Sequence, residues 1–177
     1  MKRRHGGLRA AQTSRVRRSA NRACKGHAAV ADETRGMPIP IDVAYSRAFG
    51  GTARRIYQLL AEMGTSGDAI WPFAAQPFMR TSGPLTAGTT EEWHLGMHSI
   101  LAEAVPEDRI VWRIDNEGVD GTHGFFLTHE GKKIVLTHHT VAQLSDPEGR
   151  MFWKRIQDAH ERAIDGLFDK LARVLKR

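Results

Sequence analysis

A chain of 177 residues with 41% hydrophobic and 26% charged side chains has room for a true core, and no run approaches the ~18–20 consecutive apolar residues that cross a bilayer as a helix. Its single cysteine, Cys24, excludes an intrachain disulfide and cysteine catalysis in the body of the chain, and makes a reducing cytoplasm the default setting. The net charge of +6 belongs to one end: residues 1–36 hold ten Lys/Arg against Asp32 and Glu33, whereas residues 37–177 hold sixteen against eighteen acids.

Residues 1–36 are rich in Arg, Ala, Ser and Gly, with Leu8, Val16 and Val30 as isolated large aliphatic residues. Such a stretch cannot bury enough surface to offset its ordering entropy, so a basic disordered tail is expected, with the domain at 37–177. It lacks the apolar run of a secretory signal. Nucleic acid is expected as a partner only nonspecifically, through this tail, because the domain itself is slightly acidic.

In the domain, Ile39 to Phe49 alternates as a strand with Ile41, Val43 and Tyr45 on one face. Gly50-Gly51 breaks it, and Thr52 is placed to cap a helix whose Ile56, Leu59, Leu60 and Met63 fall at i, i+3, i+4 and i+7 before Gly64. Residues 64–88 show no period. Strands then follow at Thr89–Leu95, Met97–Val105, Arg109–Asp115, Thr122–Thr128 and Lys133–Leu144. The short turns between them imply antiparallel neighbours, since parallel pairing needs longer crossovers. A final helix starts from Asp146 as cap and Pro147 at its first position, and carries Phe152, Ile156, His160, Ala163/Ile164, Leu167, Leu171 and Val174 as one stripe. The expected class is therefore α+β: a curved antiparallel sheet wrapped around a long C-terminal helix, with mostly apolar space between them.

Seven of nine histidines lie in the domain. His123 shares a strand face with Phe125 and Leu127, and His138 shares one with Ile134 and Leu136. With Glu130-Gly131 as the turn centre, His123 pairs with His138, Phe125 with Leu136 and Leu127 with Ile134, which keeps the apolar partners together. His160 lies on the helix stripe. Three imidazoles thus converge on one apolar interior. They suit either a polar cluster that orients a ligand oxygen or exchanges protons, or core histidines bonded to each other, to hydroxyls or to backbone carbonyls. No carboxylate is assigned to the inward face.

No metal site is expected, because no His-Glu-x-x-His occurs and His138 and His139 point to opposite faces. No cofactor is expected either: P-loop, dinucleotide and Gly-x-Ser-x-Gly patterns are absent. Trp112 shares a face with Ile110 and Ile114, so it reads as wall or core and not as a base-stacking platform. Trp71 and Trp93 are assigned to the pocket lining.

Four stretches, Arg109-Ile-Val-Trp-Arg-Ile114, Asp120-Gly-Thr-His-Gly-Phe125, Leu136-Thr-His138 and Asp158-Ala-His-Glu161, resemble the polyketide cyclase/dehydrase branch of the SRPBCC (START-like) superfamily, over about residues 39–176. The resemblance implies a helix-grip fold that binds hydrophobic small molecules; some members cyclise or dehydrate polyketides and others carry lipids or quinones. Only His123, His138 and His160 sit in the matching motifs. The expected function is binding or carriage of a hydrophobic or aromatic small molecule in an internal cavity, lined by His123, His138, His160, Phe125, Leu136, Trp93, Trp112, Ile156 and Ile164. The alternative is a cyclase/dehydratase-like enzyme using the cavity histidines as acid and base, its catalytic residues unassigned.

Overall fold

The computed structural model describes residues 37–145 and 147–176 and, from the basic tail, the backbone of strand β1 (Ser14–Arg15), which pairs with Tyr45 and Ser46. The rest of the tail, for which disorder is expected, lies outside the described residues, as does Asp146, the expected helix cap.

Strand β2 (Ile39–Phe49) leads through Gly50-Gly51 into helix α1 (Ala53–Ala61). The Thr52 hydroxyl accepts a hydrogen bond from the Arg55 backbone N–H at 3.2 Å, so the cap legible in the sequence is made. Ile56, Leu59, Leu60 and Met63 are all buried. Residues 64–78, which have no period, are organised by one side chain. The Asp68 carboxylate accepts from the backbone N–H groups of Gly64, Ile70 and Trp71 at 2.9–3.0 Å, and this turn delivers Ile70, Trp71 and Phe78 to the core.

The strands β3 (Met79–Arg80), β4 (Glu91–His94), β5 (Met97–Val105), β6 (Arg109–Ile114), β7 (Val119–Glu130) and β8 (Lys133–Leu144) then form an antiparallel meander. With β2 they make a curved seven-stranded sheet in the order β2-β8-β7-β6-β5-β4-β3, and β1 adds its two residues outside β2. A bulge between Leu101 and Glu103 interrupts the β5–β6 register and adds curvature. Helix α2 (Glu148–Val174) runs 27 residues, roughly 40 Å, with Phe152, Ile156, His160, Ala163, Ile164, Leu167, Phe168 and Leu171 buried. Among the described residues no helix is long and apolar enough to cross a membrane.

The β7–β8 register differs from the expected one by two residues. The turn is Gly131-Lys132, with Gly131 at φ +60°, and the pairs are Leu127 with Leu136, Phe125 with His138 and His123 with Thr140. A two-residue loop with positive φ at its first position matches the twist of the flanking strands, and glycine takes that conformation without steric cost. Because the shift is even, every side chain keeps its face. Only the partners change.

Gly124 meets a separate demand. A Cβ there would stand 2.5 Å from the Ile110 carbonyl oxygen and 3.0 Å from Val111 Cα, both backbone atoms of the neighbouring strand. Gly124→Ala should therefore cost more than about 2 kcal/mol in urea unfolding, as overpacking against backbone does. A loss under about 0.5 kcal/mol would mean that β6 and β7 can separate freely.

Two apolar clusters make up the core. The larger contains Phe49, Leu101, Trp112, Phe125, Leu136, Ile164 and Leu167; the smaller contains Ile41, Met97, Ile114, Ala142, Leu144, Phe152 and Ile156. Along β8 the inward residues read Ile134, Leu136, then His138, Thr140, then Ala142, Leu144; β5 reads Met97, Ser99, Leu101; α2 reads Ile156, His160, Ile164. A polar layer thus crosses the interior between two oily ones.

Among the described residues, the larger cluster is packed where the roomy cavity is expected. Trp112, Phe125, Leu136 and Ile164, all expected to line it, pack into the core, and the enclosed space beside Leu60, Phe78, Trp112 and Phe125 is about 10 Å³, enough for one water molecule at most. Long aromatic and aliphatic side chains from α1 and from residues 70–78 fill what a sheet and a single helix would have left open.

Candidate polar site between the sheet and the C-terminal helix

The polar layer begins on β4. Glu92 and His94 point inward and are buried, whereas Glu91 and Trp93 point outward. The hairpin that returns to β5 has only Leu95 and Gly96 between the paired His94 and Met97, both residues at positive φ (51° and 82°), the conformation that two-residue hairpins favour. Its tightness sets the parity of both strands and brings Ser99 opposite Glu92.

This corrects two expectations. Trp93 is not in the interior: it is 39% exposed and stacks on His98 on the outer face, ring centroids 5.2 Å apart. An inward carboxylate does exist, because Glu92 is fully buried. Assigning the bulkiest apolar residue of Glu-Glu-Trp-His to the core inverts the face of all four. The usable signal was the alternation continuing through the turn into Met97, Ser99 and Leu101.

Glu92 Oε1 lies 2.8 Å from His123 Nε2 and 3.6 Å from His94 Nδ1. The Ser99 hydroxyl is 3.1 Å from His123 Nε2. His94 is clasped by aromatic rings, stacked on Phe78 at 4.9 Å and edge-on to Trp71 at 5.5 Å. From His123 the imidazoles continue to His138, ring centroids 5.7 Å apart, and then to His160 at 4.9 Å. His123, His138 and His160, selected from the sequence, are thus brought together in the interior, joined by Glu92, His94, Ser99 and Thr140. His139 takes the opposite face, where its Nε2 is 2.7 Å from the Asp42 carboxylate.

Hydrogen bonding in this layer is incomplete. Among the described residues no aligned partner is found for either Glu92 oxygen, for Nδ1 of His94, His123 or His138, for the Thr140 hydroxyl, or for either ring nitrogen of His160. The Ser99 hydroxyl can satisfy one acceptor near Glu92 and is aligned on His123. Burial governs the protonation states. It raises the Glu92 carboxyl from 4.5 to about 7, against the opposing pull of His94, Ser99 and His98. It lowers His94, His123 and His160 to about 3 and holds His138 well below 6.5; Glu92 opposes the shift at His94, and neighbouring imidazoles add to it at His94, His138 and His160. At neutral pH the layer is four neutral imidazoles beside a carboxyl near its titration midpoint.

The layer meets the surface at His94. An open cleft of about 490 Å³ lies between residues 76–79, the β4–β5 hairpin and α2, with His94, Met97, Ile156 and Ala159 among its lining and Trp93 at the hairpin. Of the residues selected from the sequence, Ile156 and Trp93 border this cleft, while His123, His138 and His160 stand behind it.

No model of a known protein family matches the chain, and no curated protein matches it. Solved structures do. The protein Ms6760 of Mycobacterium smegmatis aligns with a TM-score of 0.55 at 11% identity, over 76% of this chain and 90% of its own. CV1439 of Chromobacterium violaceum aligns at 0.55 and 13%, over 77% and 99%. An uncharacterised protein of Rhizobium leguminosarum aligns at 0.52 and 10%, over 80% and 98%. The likeness is one of fold. These neighbours share the curved sheet and C-terminal helix, and identities this low extend no further.

Proposed function

We propose that this chain is an SRPBCC-type helix-grip domain that binds a small apolar or aromatic molecule in the cleft beside His94. One observation carries the reading: a concavity of about 490 Å³, within the range of small-molecule sites, has an apolar lining of Met97, Ile156 and Ala159 and reaches a buried polar group, His94. Apolar burial would supply affinity, and the imidazole would orient a ligand oxygen. The element order and the motifs around His123, His138 and His160 support the family reading, and the chain's expected setting is the cytoplasm.

A second reading rests on Glu92. A carboxyl raised to about 7 beside two imidazoles is suited to proton exchange with a bound carbonyl compound, the chemistry of a cyclase or dehydratase, with His94 as the group nearest the cleft.

Filling the cleft tests binding. Ala159 lines it and is only partly buried, so Ala159→Trp occupies the space at little cost to folding. Titration with the fluorophore anilinonaphthalene sulfonate should show an affinity at least about 10-fold weaker in the variant, a change of roughly 1.4 kcal/mol. Native mass spectrometry should show any copurifying small molecule lost. Equal probe affinity in both proteins would refute the assignment to this cleft.

A further inference from the structure

We infer that Glu92, His94 and His123 form a binding site for a divalent transition-metal cation of the zinc class. The inference is independent of what occupies the cleft. Three observations carry it.

The first is geometric. The donor atoms Glu92 Oε1, His94 Nδ1 and His123 Nε2 all lie within 4.8 Å of one another, with measured separations of 2.8 Å and 3.6 Å from Oε1 to the two nitrogens. Tetrahedral zinc with bonds of 2.0–2.1 Å holds its ligand atoms roughly 3.3 Å apart, so small side-chain adjustments suffice.

The second is that these donors are short of hydrogen-bond partners. Neither Glu92 oxygen nor His94 Nδ1 has an aligned hydrogen-bond partner among the described residues, although all are buried. Protein interiors seldom leave such groups unpaired, and an ion is one of the few occupants that satisfies several at once. His123 Nε2 faces the Ser99 hydroxyl at 3.1 Å and Glu92 Oε1 at 2.8 Å; the hydroxyl can move aside, and an ion seated between nitrogen and carboxylate would replace their direct contact.

The third is charge and access. A buried carboxylate without a cationic partner is costly, and a divalent cation held by it and two neutral imidazoles converts that cost into binding. His94 borders the open cleft, which gives an ion a route inward. Two His and one carboxylate leave a fourth tetrahedral position for water or a ligand oxygen.

The test uses the full chain, stripped with chelator and dialysed. Calorimetric titration with zinc chloride should show one saturable equivalent per chain, with a raised thermal midpoint. Glu92→Gln should weaken zinc binding more than about 100-fold, beyond the 10–100-fold typical of losing an outer partner. That variant loses a buried charge and so keeps its fold, which circular dichroism would verify. Cobalt(II) in place of zinc should give the intense visible absorption of a low-coordinate site, and His94→Asn or His123→Ala should abolish it. Zinc affinity unchanged in Glu92→Gln would locate the ion elsewhere on the chain and overturn the proposal. Absence of saturable binding to the wild type would overturn it equally.

Discussion

Acidification of the chelator-treated protein from pH 7 toward pH 4 is expected to unfold it steeply, with about three protons taken up per molecule. His94, His123 and His160 titrate near 3 in the folded state and His138 well below 6.5, against 6.5 in the unfolded chain. Their stabilising contribution is complete above pH 6.5 and is lost as the pH falls, because the unfolded chain binds four protons that the native state refuses. Glu92 works in the opposite sense. Its native carboxyl binds a proton below about 7 while the unfolded one stays ionised down to 4.5. Between pH 5 and 6 the balance is about three protons, or roughly 4 kcal/mol lost per pH unit. A domain with about 5–15 kcal/mol of stability would then unfold within about 1–4 units below pH 6.5. Circular dichroism against pH measures the midpoint, and the dependence of urea unfolding on pH measures the proton count. His160→Leu should lower that count by about one. A native fold persisting at pH 4, with a slope near one proton, would show that the imidazoles are charged or solvated in the folded state.

The second large effect is a gain. In the same metal-free protein Glu92→Gln should raise stability at pH 8 by up to about 3 kcal/mol, on the order of 10 °C in thermal midpoint. The shift from 4.5 to about 7 is the cost of ionising a buried carboxyl. Below pH 4.5 both states are protonated and the cost is absent; it grows as the pH rises from 4.5 and is complete above 7. The gain should therefore vanish near pH 4. If the variant were instead less stable at pH 8, the Glu92 charge would have a compensating partner in the metal-free protein, and the isolated-carboxylate picture would fail. Both experiments act on the same layer: the imidazoles make the fold sensitive to acid, and the carboxyl makes it pH-dependent near neutrality.

Why the chain keeps eight buried polar residues among those described, including Glu92, Ser99, His123, His138, Thr140 and His160, bears on both functional readings. Replacing such groups by apolar residues of similar shape is often neutral or stabilising, so their presence in the interior is itself a reason to look for a ligand, an ion or a proton to move.

Much of the scaffold was legible in one dimension. Helix α2 announced itself by a stripe that repeats over seven turns, and α1 by Thr52 and four residues at helical spacing; both are local periodicities that need no knowledge of distant partners. The inward faces of β7 and β8 followed from strict alternation, which an even slip in register cannot disturb. By the same logic His123, His138 and His160 were recognisable as interior residues. The segment 64–78 was opaque because its conformation depends on one carboxylate, Asp68, closing on three backbone N–H groups, which leaves no period to read.

The chain's own pattern thus determined which elements form, which faces turn inward, and that imidazoles lie on those faces. The tertiary structure alone decided the face of β4, where a tight Leu95-Gly96 hairpin outweighs the apolar pull of Trp93 and commits Glu92 to the interior. It also decided how far the oily space is filled, and which polar groups meet. Those outcomes depend on pairing geometry and on volumes contributed by residues far apart in the chain, and one-dimensional periodicity contains neither quantity.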